Sequence, residues 1–168
     1  MIKQFVPQEV CLKCQGCCRF KEAHSVWLPC LLDEEIQELL DKEIPAAYVS
    51  IDKKLMPIAH PKGEGYLCPF LGPEDNLCKI YTLRPLECQL YPFLVTIRAK
   101  KILLTVDPNC PYVQEKLNSA EFKSYLEYLT GFLNAPAQIR RLKDNPQILA
   151  AYEDVLGLME LKSEDEIK

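Results

Sequence analysis

The sequence predicts a small α+β fold: a loop-rich, metal-ligated core with an antiparallel β-hairpin and packed C-terminal helices. Three observations predict it. Nine cysteines all precede Pro111, two β-rich runs flank a short turn, and apolar residues recur at helical spacing in the last third. A length of 168 residues fits one domain with an apolar core that needs no cross-links.

The first elements follow from local patterns. Apolar residues alternate over residues 26–32, which predicts a short strand or an extended segment. Asp33 is expected to cap a helix that runs to about Asp41 and stops before Pro45. The expected inward residues of that helix are Ile36, Leu39 and Leu40. Residues 52–79 hold Gly- and Pro-rich turns, so they are expected to be loops.

The middle of the chain predicts a helical turn and a hairpin. Pro85 suits the first position of a short helix. Residues 93–98 and 102–106 are rich in β-branched and aromatic residues, and residues 99–101 between them are expected to form the turn of an antiparallel hairpin.

The C-terminal third predicts two helices. Ser119 is expected to cap the first, and Asn145 followed by Pro146 is expected to open the second, with Leu156 inward and Gly157 at its end. The predicted organisation is a cysteine-cluster metal-binding domain over 1–111, a helical part of the same globule over 112–161, and a charged tail over 162–168.

Charge and composition exclude several classes of protein. Lys and Arg number 20 against 24 Asp and Glu, a formal net charge of −4, which argues against a nucleic-acid binder that relies on phosphate neutralisation. The sequence shows neither a signal-peptide pattern nor an apolar run of the roughly 18 residues that a membrane span needs. The expected location is therefore the cytoplasm, where clustered cysteines indicate metal or redox chemistry rather than disulfides.

Four cysteines lie within the eight residues from Cys11 to Cys18. The two-residue spacers after Cys11 and Cys14 let a tight turn bring two thiolates onto one ion, with turn amides donating to the sulfurs. The spacing through Cys17 also matches the first three ligands of a bacterial ferredoxin run, but Cys18 comes too soon to be the fourth.

The number of centres is left open by the spacing. In extended chain the Cys17 and Cys18 side chains would point to opposite sides, so binding of both to one tetrahedral ion would be strained. The pair is expected to serve two centres, or one of them stays an unligated thiol near a cluster. Together with the four cysteines of residues 11–18, four later ones make eight: Cys68, Cys78, Cys88 and Cys110. Eight thiolates suit two four-thiolate sites, or one iron–sulfur cluster with four thiols left over, and they favour zinc or iron. The ninth cysteine, Cys30, is expected to be a buried core residue.

The motifs together resemble the YkgJ-type CxxCxxCC cysteine-cluster family. They are Cys11-x2-Cys14-x2-Cys17-Cys18, Cys68-Pro69-Phe70-Leu71, Cys78-Lys79-Ile80-Tyr81-x2-Arg84-Pro85-x2-Cys88, and Tyr91-Pro92-Phe93. The resemblance covers residues 11–111 and implies zinc or iron chelation, or an iron–sulfur cluster. The ligands it implies are Cys11, Cys14, Cys17, Cys18, Cys68, Cys78, Cys88 and Cys110. Relatives commonly carry an arginine where this chain has Gln89, and a flagellin lysine methylase in the same broad group implies a redox or methyl-transfer role.

Arg84 is the predicted cofactor-binding residue. It lies between two of the implied ligands, where it could donate to a cluster sulfur, bind an anionic substrate, or form a buried ion pair. His24 and His60 are expected to be a surface and a loop residue, since eight cysteines leave no vacancy for them.

Three functional hypotheses follow. The first is a [4Fe–4S] or related cluster in a redox, electron-transfer or oxidoreductase-accessory protein with a redox or protein partner. The second is a structural Zn²⁺ module whose helices dock a protein. The third is a thiol- or cluster-dependent enzyme, which would need an unligated thiol with a lowered pKa. No nucleic-acid partner and no membrane span are expected.

Overall fold

The computed structural model describes residues 2–14 and 16–162. The chain divides into two compact units, residues 1–89 and 90–168. The described part of the chain contains helices and two three-stranded antiparallel sheets, which confirms the α+β prediction. None of the helices in the described part is both long enough and apolar enough to cross a bilayer.

The first unit carries three helices and one small sheet within its described residues. The helices are α1 (Gln8–Lys13), α2 (Asp33–Asp41) and α3 (Leu86–Leu90), and 3₁₀ turns cover Ala46–Tyr48 and Tyr81–Leu83. The strands are β1 (Arg19–Phe20), β2 (Ile58–Ala59) and β3 (Tyr66–Leu67). β3 lies between the other two and pairs antiparallel with both.

A buried glutamate organises the start of α2. The helix spans the predicted residues, but its N-cap is Leu32 rather than Asp33, because the Glu35 carboxylate accepts from the Leu32 N–H at 2.9 Å. Leu39 is buried as predicted, whereas Leu40 is 40% exposed. The core beside α2 contains Leu31, Leu39, Leu55, Phe70 and Ile80.

Residues 26–32, predicted to be a short strand or an extended segment, do not form a strand. The Leu28 N–H donates to the Ser25 carbonyl at 3.2 Å, so the segment begins with a turn. Pairing is limited to a single antiparallel bridge between Cys30 and Lys54. The apolar alternation instead reflects burial of Leu28, Cys30 and neighbouring residues in an irregular segment.

The second unit contains the predicted hairpin. β4 (Phe93–Arg98) pairs antiparallel with β5 (Lys101–Val106). Ala99 and Lys100 both have positive φ, 50° and 66°, which gives the two-residue turn that matches strand twist. Helices α4 (Pro111–Lys116) and α5 (Ala120–Leu133) follow, and Ser119 caps α5 by accepting from the Phe122 N–H at 3.0 Å.

The prediction of a last helix that begins at Asn145 is wrong. A helix that the sequence did not predict, α6, spans Pro136–Asp144, and only a 3₁₀ turn (Pro146–Ile148) follows Asn145. Residues 156 and 157 instead begin β6 (Leu156–Glu160), which pairs antiparallel with β5. Hydrogen bonding to a sheet edge distant in sequence overrides the local pattern. Residues 163–168 of the expected charged tail lie outside the described residues.

Candidate metal centre

The eight implied ligands are distributed over both units. Cys11 lies in α1, Cys14 is its C-cap, and Cys17 and Cys18 precede β1. Cys68 follows β3, Cys78 forms a single bridge with Leu71, and Cys88 lies in α3. Cys110, the N-cap of α4, belongs to the second unit. All nine cysteines are thiols in the structure.

The end of α1 leads into a turn that passes close to Cys14. The Cys14 N–H donates to the carbonyls of Val10 and Cys11, at 3.0 and 3.2 Å, which closes the helix. A Cβ added at Gly16 would lie 3.5 Å from the Cys14 sulfur. The Arg19 N–H then donates to the Gly16 carbonyl at 3.1 Å, so the chain turns before β1.

Cys17 and Cys18 hydrogen-bond to each other through their side chains, and this bond is the largest cause of the raised pKa of Cys17. The expectation that the two side chains diverge is therefore wrong. The physical reason is that residues 17 and 18 form a turn, not extended chain. The Cys17 and Cys18 sulfurs therefore lie next to each other.

The small sheet places Cys68 beside the first cysteine group. The Cys68 N–H donates to the Cys18 carbonyl at 3.0 Å. After Pro69 the chain turns, and the amides of Phe70 and Leu71 hydrogen-bond to the Cys68 sulfur. Burial outweighs these donors and raises the pKa of Cys68 to about 11.

A short closed loop brings Cys78 back towards Cys68. Its ends are joined by the bridge between Leu71 and Cys78 and by a 2.8 Å hydrogen bond from the Lys79 N–H to the Phe70 carbonyl. The Ile80 amide hydrogen-bonds to the Cys78 sulfur, yet burial raises the pKa of that thiol overall. Amide donors aimed at Cys68 and Cys78 are what thiolate ligands require.

Cys88 completes a group of four neighbouring thiols. The Glu35 carboxylate, by accepting from the Leu86 N–H at 2.7 Å, holds the start of α3 in place. Burial raises the pKa of Cys88 well above its usual value, and the nearby thiols of Cys68, Cys17 and Cys78 raise it further. Across residues 2–14 and 16–162, however, no three Cys, His, Asp or Glu side chains already form a group that could hold a metal ion.

Arg84 adds positive charge to this group. Its guanidinium lies 4.0 Å from the centroid of the Tyr81 ring, and its Nε donates to the Tyr81 carbonyl at 3.3 Å. The charge acts to lower the pKa of both Cys17 and Cys78. Arg84 Nη2 is buried and, within the described part of the chain, has no hydrogen-bond partner. The salt bridges recorded there do not include Arg84, so the buried ion pair considered above is not seen.

Cys30 lies in the core, where it is 2% exposed. Its N–H donates to the Glu87 carboxylate at 2.6 Å, and burial, followed by the Glu87 charge, raises the pKa of its thiol to about 12. Of the two histidines, His24 is exposed, and His60 Nδ1 accepts from the Lys62 N–H at 3.1 Å within a turn.

Sequence reasoning missed three polar residues that organise the site. They are Glu35, Asn76 and Gln89. Gln89 accepts from the Ile2 N–H at 3.1 Å and donates to the Arg84 carbonyl at 2.7 Å, so it supports the main chain at Arg84. Only Asn76 had a local signal, because it lies in a turn segment and asparagine tolerates positive φ.

Comparison with known proteins identifies the family. The family model described as "CxxCxxCC: Putative zinc- or iron-chelating domain" matches residues 10–111, more than half of the chain. The chain belongs to this CxxCxxCC family. An uncharacterized protein of Methanocaldococcus jannaschii is 46% identical over 46 residues, which are 27% of this chain and 25% of that relative. The chain thus spans about a quarter of that relative's length, and no solved structure matches it.

The donor set of this CxxCxxCC domain fits the metals in its family description. Thiolate sulfur is a soft donor that suits zinc and iron and does not suit magnesium or calcium. The unpartnered Nη2 of Arg84 fits a sulfur-bound metal as well, because deprotonated ligand sulfurs are acceptors for it. The residues present therefore fit the group that the family implies.

Proposed function

We propose that this CxxCxxCC domain holds an iron–sulfur cluster, or zinc, and serves as a redox or electron-transfer protein or as an accessory to an oxidoreductase. The proposed ligands are Cys11, Cys14, Cys17, Cys18, Cys68, Cys78, Cys88 and Cys110. One observation carries the proposal: Cys17, Cys68, Cys78 and Cys88 come from separate segments, and Cys17 lies close enough to raise the pKa of each of the other three thiols.

Burial explains why this group needs a metal. Without one, the half-buried thiols of Cys68, Cys78 and Cys88 stay protonated, since burial raises the pKa of each. A bound cation replaces the protons and stabilises the thiolates. An iron–sulfur cluster would supply one-electron transfer at this position, whereas zinc would supply structure alone.

The proposed role of Arg84 is to donate from Nη2 to a ligand sulfur. Four thiolates leave either zinc or a four-iron cluster with a net negative charge, which the partly buried Arg84 guanidinium offsets. The contact with Tyr81 fixes the guanidinium in place, so the donor does not have to be reoriented when the metal binds. A charge-assisted bond of this kind stabilises the centre and raises its reduction potential.

A redox role is favoured over thiol catalysis by the direction of the pKa shifts. The pKa is raised for each of Cys17, Cys30, Cys68, Cys78 and Cys88. A nucleophilic thiolate requires a lowered pKa. The presence of nine thiols supports a reducing compartment, the cytoplasm, and a redox or protein partner there.

Anaerobic purification with elemental analysis and a visible spectrum tests the proposal. We expect iron and acid-labile sulfide with a broad visible absorption band. Cys68→Ala should lose the metal, while the matched core variant Cys30→Ala should retain it. Colourless protein with stoichiometric zinc would contradict the redox role, and protein that binds neither metal after reconstitution would overturn metal binding itself.

A further inference from the structure

We infer that Asn76 is a positioning residue: its side chain joins the two ends of the cysteine segment 12–19 and holds that segment in place for metal binding. This inference rests on the proposed function. It concerns a residue that is no metal ligand and lies outside every cysteine motif.

Two hydrogen bonds from one amide group carry the inference. Asn76 Nδ2 donates to the Leu12 carbonyl at 2.9 Å, and Asn76 Oδ1 accepts from Arg19 Nη2 at 2.7 Å. Leu12 lies in the last turn of α1, where carbonyls lack helical partners, and Arg19 begins β1. Cys14, Cys17 and Cys18 lie between these two anchors, so the ends of the cysteine segment are tied to one point.

The loop that presents Asn76 is itself closed. The Gly72 N–H donates to the Leu77 carbonyl at 2.8 Å, and the Asn76 N–H donates to the Gly72 carbonyl at 2.9 Å. Asn76 has a φ of 58°, a left-handed conformation that asparagine adopts more readily than most residues. Cys78 follows two residues later, so the same short loop carries a proposed ligand and the contact to the first cysteine segment.

Asparagine is suited to this position for two reasons. Its amide has a donor and an acceptor on one short side chain, and the position requires both. A cysteine segment that is already anchored loses less conformational freedom when it binds a metal. Removal of the amide should therefore weaken metal affinity, and the proposed ligands themselves would stay in place.

A Co²⁺ titration of the reduced, metal-free full chain, in competition with a chromophoric chelator, tests the inference. Asn76→Gly removes both hydrogen bonds and still allows the positive φ, and we expect it to weaken Co²⁺ binding roughly tenfold or more. Its thiolate-to-cobalt absorption per bound metal should fall as well. Asn76→Asp keeps the acceptor for Arg19 but cannot donate to Leu12, so an intermediate affinity is expected.

Asn134→Gly is the matched control. It removes an asparagine side chain that accepts from the Lys162 N–H at 2.8 Å in the second unit. We expect this variant to keep wild-type Co²⁺ affinity whatever its effect on urea unfolding. Unchanged affinity in Asn76→Gly, or an equal loss in the control, would overturn the role of Asn76. A wild-type chain that binds no Co²⁺ would overturn the proposed function and this inference with it.

Discussion

The main-chain N–H of Cys68 donates to the carbonyl oxygen of Cys18 at 3.0 Å. This bond continues the register of β1 and β3, in which Arg19 is paired with Leu67 and Phe20 with Tyr66. The two proposed ligands are thus opposite each other at the end of a short ladder. A sheet of two-residue strands therefore brings Cys18 next to Cys68.

Gly65→Ala should break this ladder. Gly65 has a φ of +84°, and a Cβ there would lie 2.6 Å from the Phe20 carbonyl oxygen in β1. We expect the unfolding free energy to fall by about 1–3 kcal/mol, because the backbone strain and the clash both act on folded protein. Metal content after reconstitution should fall in parallel, as elemental analysis would show.

Gly131→Ala serves as the control for that substitution. Gly131 is in α5, and apart from the backbone of that helix no atom of residues 2–14 and 16–162 lies within 4 Å of a Cβ placed there. Helix propensity predicts a neutral or stabilising effect of up to about 1 kcal/mol. Full metal content in Gly65→Ala would show that the ladder is not needed to assemble the site.

Glu35→Gln should disturb the position of Cys88. The two carboxylate oxygens of Glu35 accept from the Leu32 and Leu86 amides, and Leu86 begins α3. An amide side chain offers one acceptor oxygen in place of two, so one buried N–H is left unpaired at a cost of about 1–3 kcal/mol. Urea unfolding measures this loss. Glu38→Gln, an exposed change in the same helix, should cost little, and an equal cost there would contradict the argument.

Local signals were sufficient for some elements of the fold. The hairpin connection, predicted over residues 99–101 and formed by Ala99 and Lys100, and the predicted Ser119 cap are both encoded within a few residues. The sequence predicts a helix that ends at Gly157, whereas Leu156 and Gly157 begin β6, whose partner β5 lies fifty or more residues earlier in the chain. Hydrophobic periodicity carries no information about such a partner.

The candidate site also has features that the sequence predicts and features that it does not. The cysteines and their spacing predict thiolate chemistry, because the chemistry of a ligand depends on its residue type alone. They could not predict that Cys17 and Cys18 share a turn, or that Asn76 and Glu35 hold the cysteine segments. The contacts of Asn76 and Glu35 depend on pairings between distant segments, and the turn at Cys17 and Cys18 has no signal in the cysteine spacing.

Arg84→Gln should lower the reduction potential of an iron–sulfur form. The substitution removes a positive charge beside Cys17 and Cys78, so the more negative, reduced state loses stabilisation. A lost interaction of about 1.4 kcal/mol corresponds to roughly 60 mV for one electron. Spectroelectrochemical titration measures the shift. Arg140→Gln, an exposed change in α6, is the control, and a wild-type potential in Arg84→Gln would exclude the proposed donor.

Metal affinity should rise with pH. The hydrogen bond with Cys18 is the largest cause of the raised pKa of Cys17, and burial is the largest cause for Cys68, Cys78 and Cys88. All four thiols are therefore protonated at neutral pH, and each must release its proton to become a ligand. Below these pKa values, every proton released makes apparent affinity rise about tenfold per pH unit.

Calorimetric Zn²⁺ titrations in buffers of different ionisation enthalpy count the protons released at pH 7. We expect about four if Cys17, Cys68, Cys78 and Cys88 share one zinc. Cys30→Ala should release the same number, since Cys30 is a core residue and no ligand. Cys88→Ser should release fewer, because one thiol has been replaced by a hydroxyl that stays protonated. Release of no more than one proton by the wild-type protein would show that the four thiols do not act together.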